Sequence, residues 1–436
     1  MKKVLLSILF IGLVGSIFTG CSGDDDAPIV VTETPMAGDG DGDGDGDVNT
    51  VLSGQITEDR TLTADQVWTL DGRVTVTNGA TLTIEAGTII KALGGQEANA
   101  SVLIIARGAT LNANGTAAQP IIMTSTADGI QPGETVGTLT ENDRGLWGGL
   151  IVLGNAPSSL DGDVTEEQIE GIPANDPNGL YGGNQAGDSS GSITYVSVRH
   201  GGTDIGEGNE INGITFGGVG SGTVVNHIEV VANVDDGVEF FGGTVNASNI
   251  VVWAQGDDAI DIDQAYSGTV SNAVVISGNV SDHALEIDGP EGSLDGAFTL
   301  DGITLIGDQD TSRGEYADYR DGAQGATNNV FATNFQDGKD VELDNNGVSQ
   351  NFLDGNLTFS NWVIEGVNPA NSIFVERVGC AENCDDDNDD NDVDEMMIIT
   401  GPSFTERAAA WTTSGTSGGA DTAVFGWTFA SASGSL

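Results

Sequence analysis

A right-handed parallel β-helix, an all-β solenoid, is the fold class that three observations on this sequence predict. Short β-branched runs punctuated by Gly, Asn and Asp fill the chain from Val51 onward, with 65 glycines in all, so strands are the default. RVTVTNGATLTIEAGTIIKA (73–92) is followed by SVLIIARGATLNANGTAAQPIIMTS (101–125), whose shared NGATL and RGATL turns lie 29 residues apart at Gly79 and Gly108. GSITYVSVRHGG, NGITFGGVGSGTVVNHIEVVANVDDGVEF, FGGTVNASNIVVWAQGDDAIDI and YSGTVSNAVVISGNVSDHALEI then repeat one pattern, and their phase-matched apolar residues Ile214, Val238, Ile260 and Leu285 are 24, 22 and 25 apart. Periods of this length mark a solenoid, and the absence of a Leu-rich frame with Asn at a fixed offset argues against leucine-rich repeats. Each rung of a β-helix stacks about 4.8 Å from the next, and outward residues line up in columns.

The chain opens MKKVLLSILFIGLVGSIFTGC, two lysines and then an apolar run too short for a membrane span, which predicts a secretory signal peptide over residues 1–20. FTGC (18–21) resembles a lipobox, which implies that Cys21 is lipidated and becomes the first residue of the mature chain. The SGDDD that follows resembles the surface-export signal of Bacteroidetes lipoproteins. Together these resemblances imply an outer-membrane lipoprotein, held to the membrane by its lipid and facing the extracellular side. Residues 21–50 hold GDGDGDGDGD (38–47) and almost nothing that packs, so they read as an acidic, solvated linker; the repeat lacks the closing Glu of a calcium loop.

The β-helix domain is expected over 51–436, with one short helix-like patch, TERAAAW (405–411), and an acidic inserted loop near 380–395. In that loop Cys380 and Cys384 form a close pair in an oxidising compartment and read as a disulfide. DDDNDDNDVDE (385–395) reads as a solvated acidic loop before a calcium loop. Trp147, His200 and His227 read as packing or satisfied residues rather than ligands. With 66 acidic residues against 13 basic and a net charge of −53, the chain repels phosphate backbones, which excludes nucleic acid as a partner and favours cations.

Aligning VDDGVEF (234–240), GDDAIDI (256–262) and SDHALEI (281–287) creates three columns: Asp235, Asp257, Asp282; Asp236, Asp258, His283; and Glu239, Asp261, Glu286. Carboxylates one rung apart repel by about 1 kcal/mol in water and about 3 to 4 kcal/mol at an effective dielectric of 20. Hard oxygen ligands at this spacing suit Ca²⁺, with Asp235, Glu239, Asp261, Asp263, Asp282 and Glu286 as the candidate ligands; a solvated acidic face is the alternative.

IEAGTIIKA, LIIARGATLNANGTAAQPIIMTS, GLWGGLIVLGNAP, NEINGITFGGVGSGT, DDGVEFFGGTVNASN and FGWTFASASGSL look like an uncharacterised family of Bacteroidetes surface β-helix lipoproteins. That resemblance implies the fold and the address but no established activity. At superfamily level the fold resembles pectate lyases and polygalacturonases. The polygalacturonase pattern of Asn-x-Asp, Asp-Asp and Gly-His-Gly on successive rungs would place catalysis at Asp236, Asp257, Asp258 and His283, with Asp258 as acid and Asp236 or Asp257 as base. Glycines do not flank His283, no Arg-x-Lys follows, and Arg313 and Arg320 are the only nearby cations in sequence. The expectation is therefore a surface module that binds or adheres to extracellular glycan. A carbohydrate-active hydrolase or lyase is the alternative, and a structural cell-surface protein a second one.

Overall fold

The computed structural model describes residues 49–95, 99–204, 210–311, 313–377 and 398–436. Cys21, Cys380, Cys384, the Gly-Asp repeat and the acidic stretch 385–395 lie outside the described residues.

Twenty-four strands join in one hydrogen-bonded network that begins with Val51–Ile56 and whose ladders run parallel throughout. A parallel crossover within one sheet is right-handed in nearly all cases, so the successive rungs coil as a right-handed β-helix. The expected phase is the observed register: Ile214 pairs with Val238, Val238 with Ile260, and Ile260 with Leu285. The two GATL turns also stack, with Thr81 paired to Thr110.

In the middle of the coil each rung consists of one long strand and one short strand. The long strands include Val224–Val231, Asn246–Trp253, Thr269–Ile276, Phe298–Ile306 and Gly325–Thr333, and a left-handed residue bends most of them midway. Tyr195, His227, Asn249, Asn272, Gly302, Asn329 and Asn361 occupy that bend on successive rungs, all at positive φ. Asn tolerates this conformation better than other residues with a Cβ, which explains its recurrence. Its side chains also bond to the rung before, Asn249 Nδ2 to Oδ1 of Asn226, the residue preceding the bend, at 2.7 Å and Asn272 Nδ2 to Asn249 Oδ1 at 2.6 Å. His227 belongs to this column, with its ring stacked on Tyr195 at 4.1 Å.

The bend divides the long strand into two faces, and the short strand supplies a third. Val, Ile and Leu from all three fill the interior, and Phe216, Phe240 and Tyr266 stack through it at 5.3 and 4.7 Å. Toward the last rungs an aromatic group of Phe352, Phe359, Trp362, Phe374, Phe404 and Trp411 fills the coil. The expected helical patch forms Phe404–Ala408, started by a capping box of Ser403 and Glu406. A longer helix, Asn346–Asp354, stands where strands were expected; Asn345 caps its start and left-handed Gly355 its end.

Two segments cover the outside of the coil. Residues 154–190, between the strands Leu150–Leu153 and Gly191–Arg199, fold over the third face and lay Leu160, Ile169, Ile172 and Tyr181 on Ile104, Ile151 and Leu153. The segment after Gly419 runs back along the long strands, placing Phe425 and Phe429 against Val231, Val251, Trp253 and Val274. Beneath it Arg199 faces Glu229 at 3.6 Å with side chains 1% and 0% exposed, and Ala430 N–H donates to Glu229 at 2.9 Å. Trp147 and His200 are core residues as expected. The indole of Trp147 donates to the Arg199 carbonyl at 2.8 Å, and His200 Nδ1 lies 2.7 Å from the Asp143 carbonyl.

Candidate functional site

The third face is built from the short strands Ile214–Gly217, Val238–Phe241, Ile260–Asp263, Leu285–Ile287, Ala317–Tyr319, Val341–Leu343 and Phe374–Glu376. Alternation turns the middle residue of each outward, and the register stacks Ile104, Ile151, Thr215, Glu239, Asp261, Glu286, Asp318, Glu342 and Val375 in one column. Its start is apolar and lies under the 154–190 segment; its middle is five consecutive carboxylates. Asp318 and Glu342 extend the column beyond the three members read from the sequence.

The acidic column is not a solvated face, contrary to the alternative weighed above. Glu239 is 5% and Asp261 6% exposed, because the covering segment continues to Glu170, whose carboxyl lies against Glu239 and 3.3 Å from Asn212 Nδ2. The Asn212 amide in turn donates to Glu239. On the other edge, Gln264 bonds both Tyr181 and Glu291, while Ser293 N–H donates to Asp163 at 2.7 Å, so the 289–295 loop closes beside Asp263. A cavity of about 610 Å³ opens there, lined by Asp161, Asp263, Asp288, Glu291 and Asp321.

At the corner before the strand, Asp236, Asp258 and His283 stack as the alignment predicts, and Asn212 precedes them in the same column. Each side chain caps the next rung: Asp236 N–H donates to Asn212 Oδ1 at 3.2 Å, Asp258 N–H to Asp236 Oδ1 at 2.9 Å, and His283 N–H to Asp258 Oδ1 at 2.6 Å. His283 Nδ1 lies 3.0 Å from that same Asp258 oxygen. The outermost corner column is Asp235, Asp257 and Asp282, with Asp282 N–H donating to the Asp257 carbonyl at 2.9 Å; Arg313 reaches Asp282 only at 3.8 Å and is 54% exposed.

On the far side of the strand a fourth column reads Asp263, Asp288, Arg320, Asp344 and Arg377. Arg320 bonds Glu286 at 2.6 Å and Asp288 at 2.7 Å, and Arg377 bonds Glu342 at 3.0 Å and Asp344 at 2.8 Å. Each arginine thus pairs with both carboxylates of the rung before its own and offsets one of their two charges. Sequence reading placed Arg320 near the site but not this pairing, which depends on the register of columns one residue past the strand ends. Lys339, 2.9 Å from Glu315, is a further cation at the corner that sequence reading missed.

Electrostatics follow this geometry. Burial first, and neighbouring carboxylates second, push Asp236, Glu239, Asp261, Asp263 and Glu286 well above the usual carboxyl range. The same causes push Asp235 up to about 9, Asp318 to about 8 and Asp257 to about 6. Asp258 goes the other way: burial pushes it up, but the charge and hydrogen bonds of His283 outweigh burial and hold it below the usual value. His283 is correspondingly carried up to about 10, its burial overcome by Asp258.

Four of the predicted metal ligands and two of the predicted catalytic groups fall into three tight sets, and the other two catalytic groups, Asp258 and His283, fall into a fourth with Glu286. Oxygens of Asp236, Glu239 and Asp261, of Asp261, Asp263 and Asp288, and of Asp235, Asp236 and Asp257 each lie within 4.8 Å of one another. Two oxygens bound to one Ca²⁺ are at most about 5 Å apart, so these sets have the span of a cation site. They are closer than the roughly 6.5 to 9.5 Å an inverting hydrolase leaves for water. Asp282 and Glu286 stand apart from the central set, the latter taken by Arg320. An ionised Asp258 locked to His283 has the charge state of a base or a ligand, not of a proton donor.

A protein-family model described as a pectate-lyase like beta helix domain matches residues 54–416. Neither curated proteins nor solved structures return a match to the chain.

Proposed function

Because this chain belongs to the pectate-lyase-like β-helix domain family, whose fold fits a carbohydrate-related role, we propose that it is a glycan-binding module whose acidic column holds Ca²⁺. The observation that carries this reading is Asp261: its carboxylate is buried within 4.8 Å of Asp236 and Glu239, its Oδ1 has no hydrogen-bond partner among the described residues, and burial prevents water from solvating it. A hard cation relieves both the repulsion and the unmet acceptor. With its charge met, the partly exposed corner column of Asp235, Asp257 and Asp282 and the cavity beside Asp263 are the surfaces left open to an extended polysaccharide. A lipid on Cys21 would hold the protein at the outer membrane on its extracellular side.

A glycan array probed with and without Ca²⁺, paired with a reducing-end assay, tests the proposal. Binding that needs Ca²⁺ and releases no reducing ends is the expected result. The second reading, a hydrolase or lyase, is favoured by Asp257, partly exposed at the corner and raised to about 6, a value suited to proton transfer near neutrality. New reducing ends that disappear in Asp258→Asn and Asp257→Asn would establish that reading instead.

A further inference from the structure

We propose that metal and arginine divide the acidic column between them: a Ca²⁺-type cation sits on Asp236, Glu239 and Asp261, closed by Glu170, and guanidinium groups take the cation's place in the rungs beyond. The inference rests on the cation reading above and specifies where the cation stops.

The argument begins with the fourth column. Where Arg320 and Arg377 stand, each pairs with both outward carboxylates of the rung before it, Glu286 with Asp288 and Glu342 with Asp344, and halves their charge. The rung 260–263 carries the same pair, Asp261 and Asp263, but the residue stacked above them in the arginine column is Asp288. The charge that a guanidinium supplies to two later rungs is thus withheld from this one. Among the described residues no lysine or arginine forms an ion pair with Asp236, Glu239 or Asp261.

Burial removes the usual escape. Glu239 and Asp261 are outward-facing in the coil yet covered, and the cover itself brings a further carboxylate, Glu170, against Glu239. Four carboxyls converge here with no basic partner, and since an uncompensated buried charge is costly, they ionise together only when a cation takes the place of their protons. All offer hard oxygen, the donor chemistry of Ca²⁺ rather than of a soft metal. Because Glu170 comes from the 154–190 segment, the same ion would also pin that segment to the coil.

Calorimetric titration of the chelator-stripped full chain with Ca²⁺ tests the division. Asp261→Asn and Glu170→Gln are expected to weaken one bound Ca²⁺ at least tenfold; the second variant changes no rung, so it reports even if the first folds poorly. Arg320→Gln is expected to add one bound Ca²⁺, since Glu286 and Asp288 then lack their shared cation. Arg320→Lys is expected to keep the original number. Ca²⁺ bound by the natural chain but unaffected in Asp261→Asn and Glu170→Gln overturns the placement. Unchanged stoichiometry in Arg320→Gln overturns the division of labour. A natural chain that binds no Ca²⁺ overturns the cation reading itself, a different failure from either.

Discussion

Asp258 illustrates how much one side chain carries. Its Oδ1 accepts from the backbone and faces the ring of His283, so Asp258→Ala leaves a half-buried N–H unmet and the imidazolium with only Glu286, 4.0 Å away. A loss of about 1–3 kcal/mol is expected for the unmet N–H alone, read as a lower urea midpoint, whereas Asp258→Asn keeps the acceptor and loses less. Titration gives a second residue-level prediction. Asp318 and Asp340 are both raised to about 8 by burial, so without cations the stability they contribute is complete below about pH 4 and is lost as pH rises through 8. His200 is lowered to about 4 by burial, so its contribution runs the other way, lost as pH falls from about 6.5 to 4 and worth on the order of 3 kcal/mol. The two carboxyls outweigh the one imidazole, so melting temperature in chelator should fall as pH rises from about 4 to 8, and Ca²⁺ should lift the alkaline side. The sequence made Glu239, Asp261 and Glu286 legible as a column because 22 and then 25 residues separate them. Asp318 comes 32 residues after Glu286, displaced mainly by the longer turn between the strands Leu285–Ile287 and Phe298–Ile306, so a fixed period missed it.

Among the elements, the bent long strand is the repeating device. The positive φ of Asn249 is one that a β-branched side chain resists, so Asn249→Val should destabilise by about 1–3 kcal/mol while Asn249→Gly loses mainly the bonds to Asn226 and Asn272. Comparing the two by urea unfolding separates backbone strain from side-chain bonding. Strands and their phase were legible because Val and Ile alternation repeats with little variation. The helix Asn346–Asp354 was not, since its caps, Asn345 and Gly355, are residue types that also fill every turn of this chain. The covering segment 154–190 was equally opaque: it contains only two-residue strands and no period, and the burial of the acidic column depends on it.

As a whole molecule, the protein balances a very acidic composition against a continuous apolar interior. Its net charge of −53 is concentrated in part on stacked rungs, so chelation should lower the thermal midpoint more than an equal rise in monovalent salt does, because screening reaches buried pairs poorly. An unchanged midpoint in chelator would argue for shared protons rather than ions between the carboxyls. Deleting residues 420–436 should cost about 4 kcal/mol through the exposure of Phe425 and Phe429 alone, and should bring Arg199 and Glu229 into water. In most solenoids a rung depends only on its neighbours. Here Ala430 completes the surroundings of Glu229, 201 residues earlier in the chain. At about 5–20 residues per second of synthesis, roughly 10 to 40 seconds pass between the two. For that interval the middle rungs exist with a bare flank, so a segment made much later sets the clock for when they are sealed.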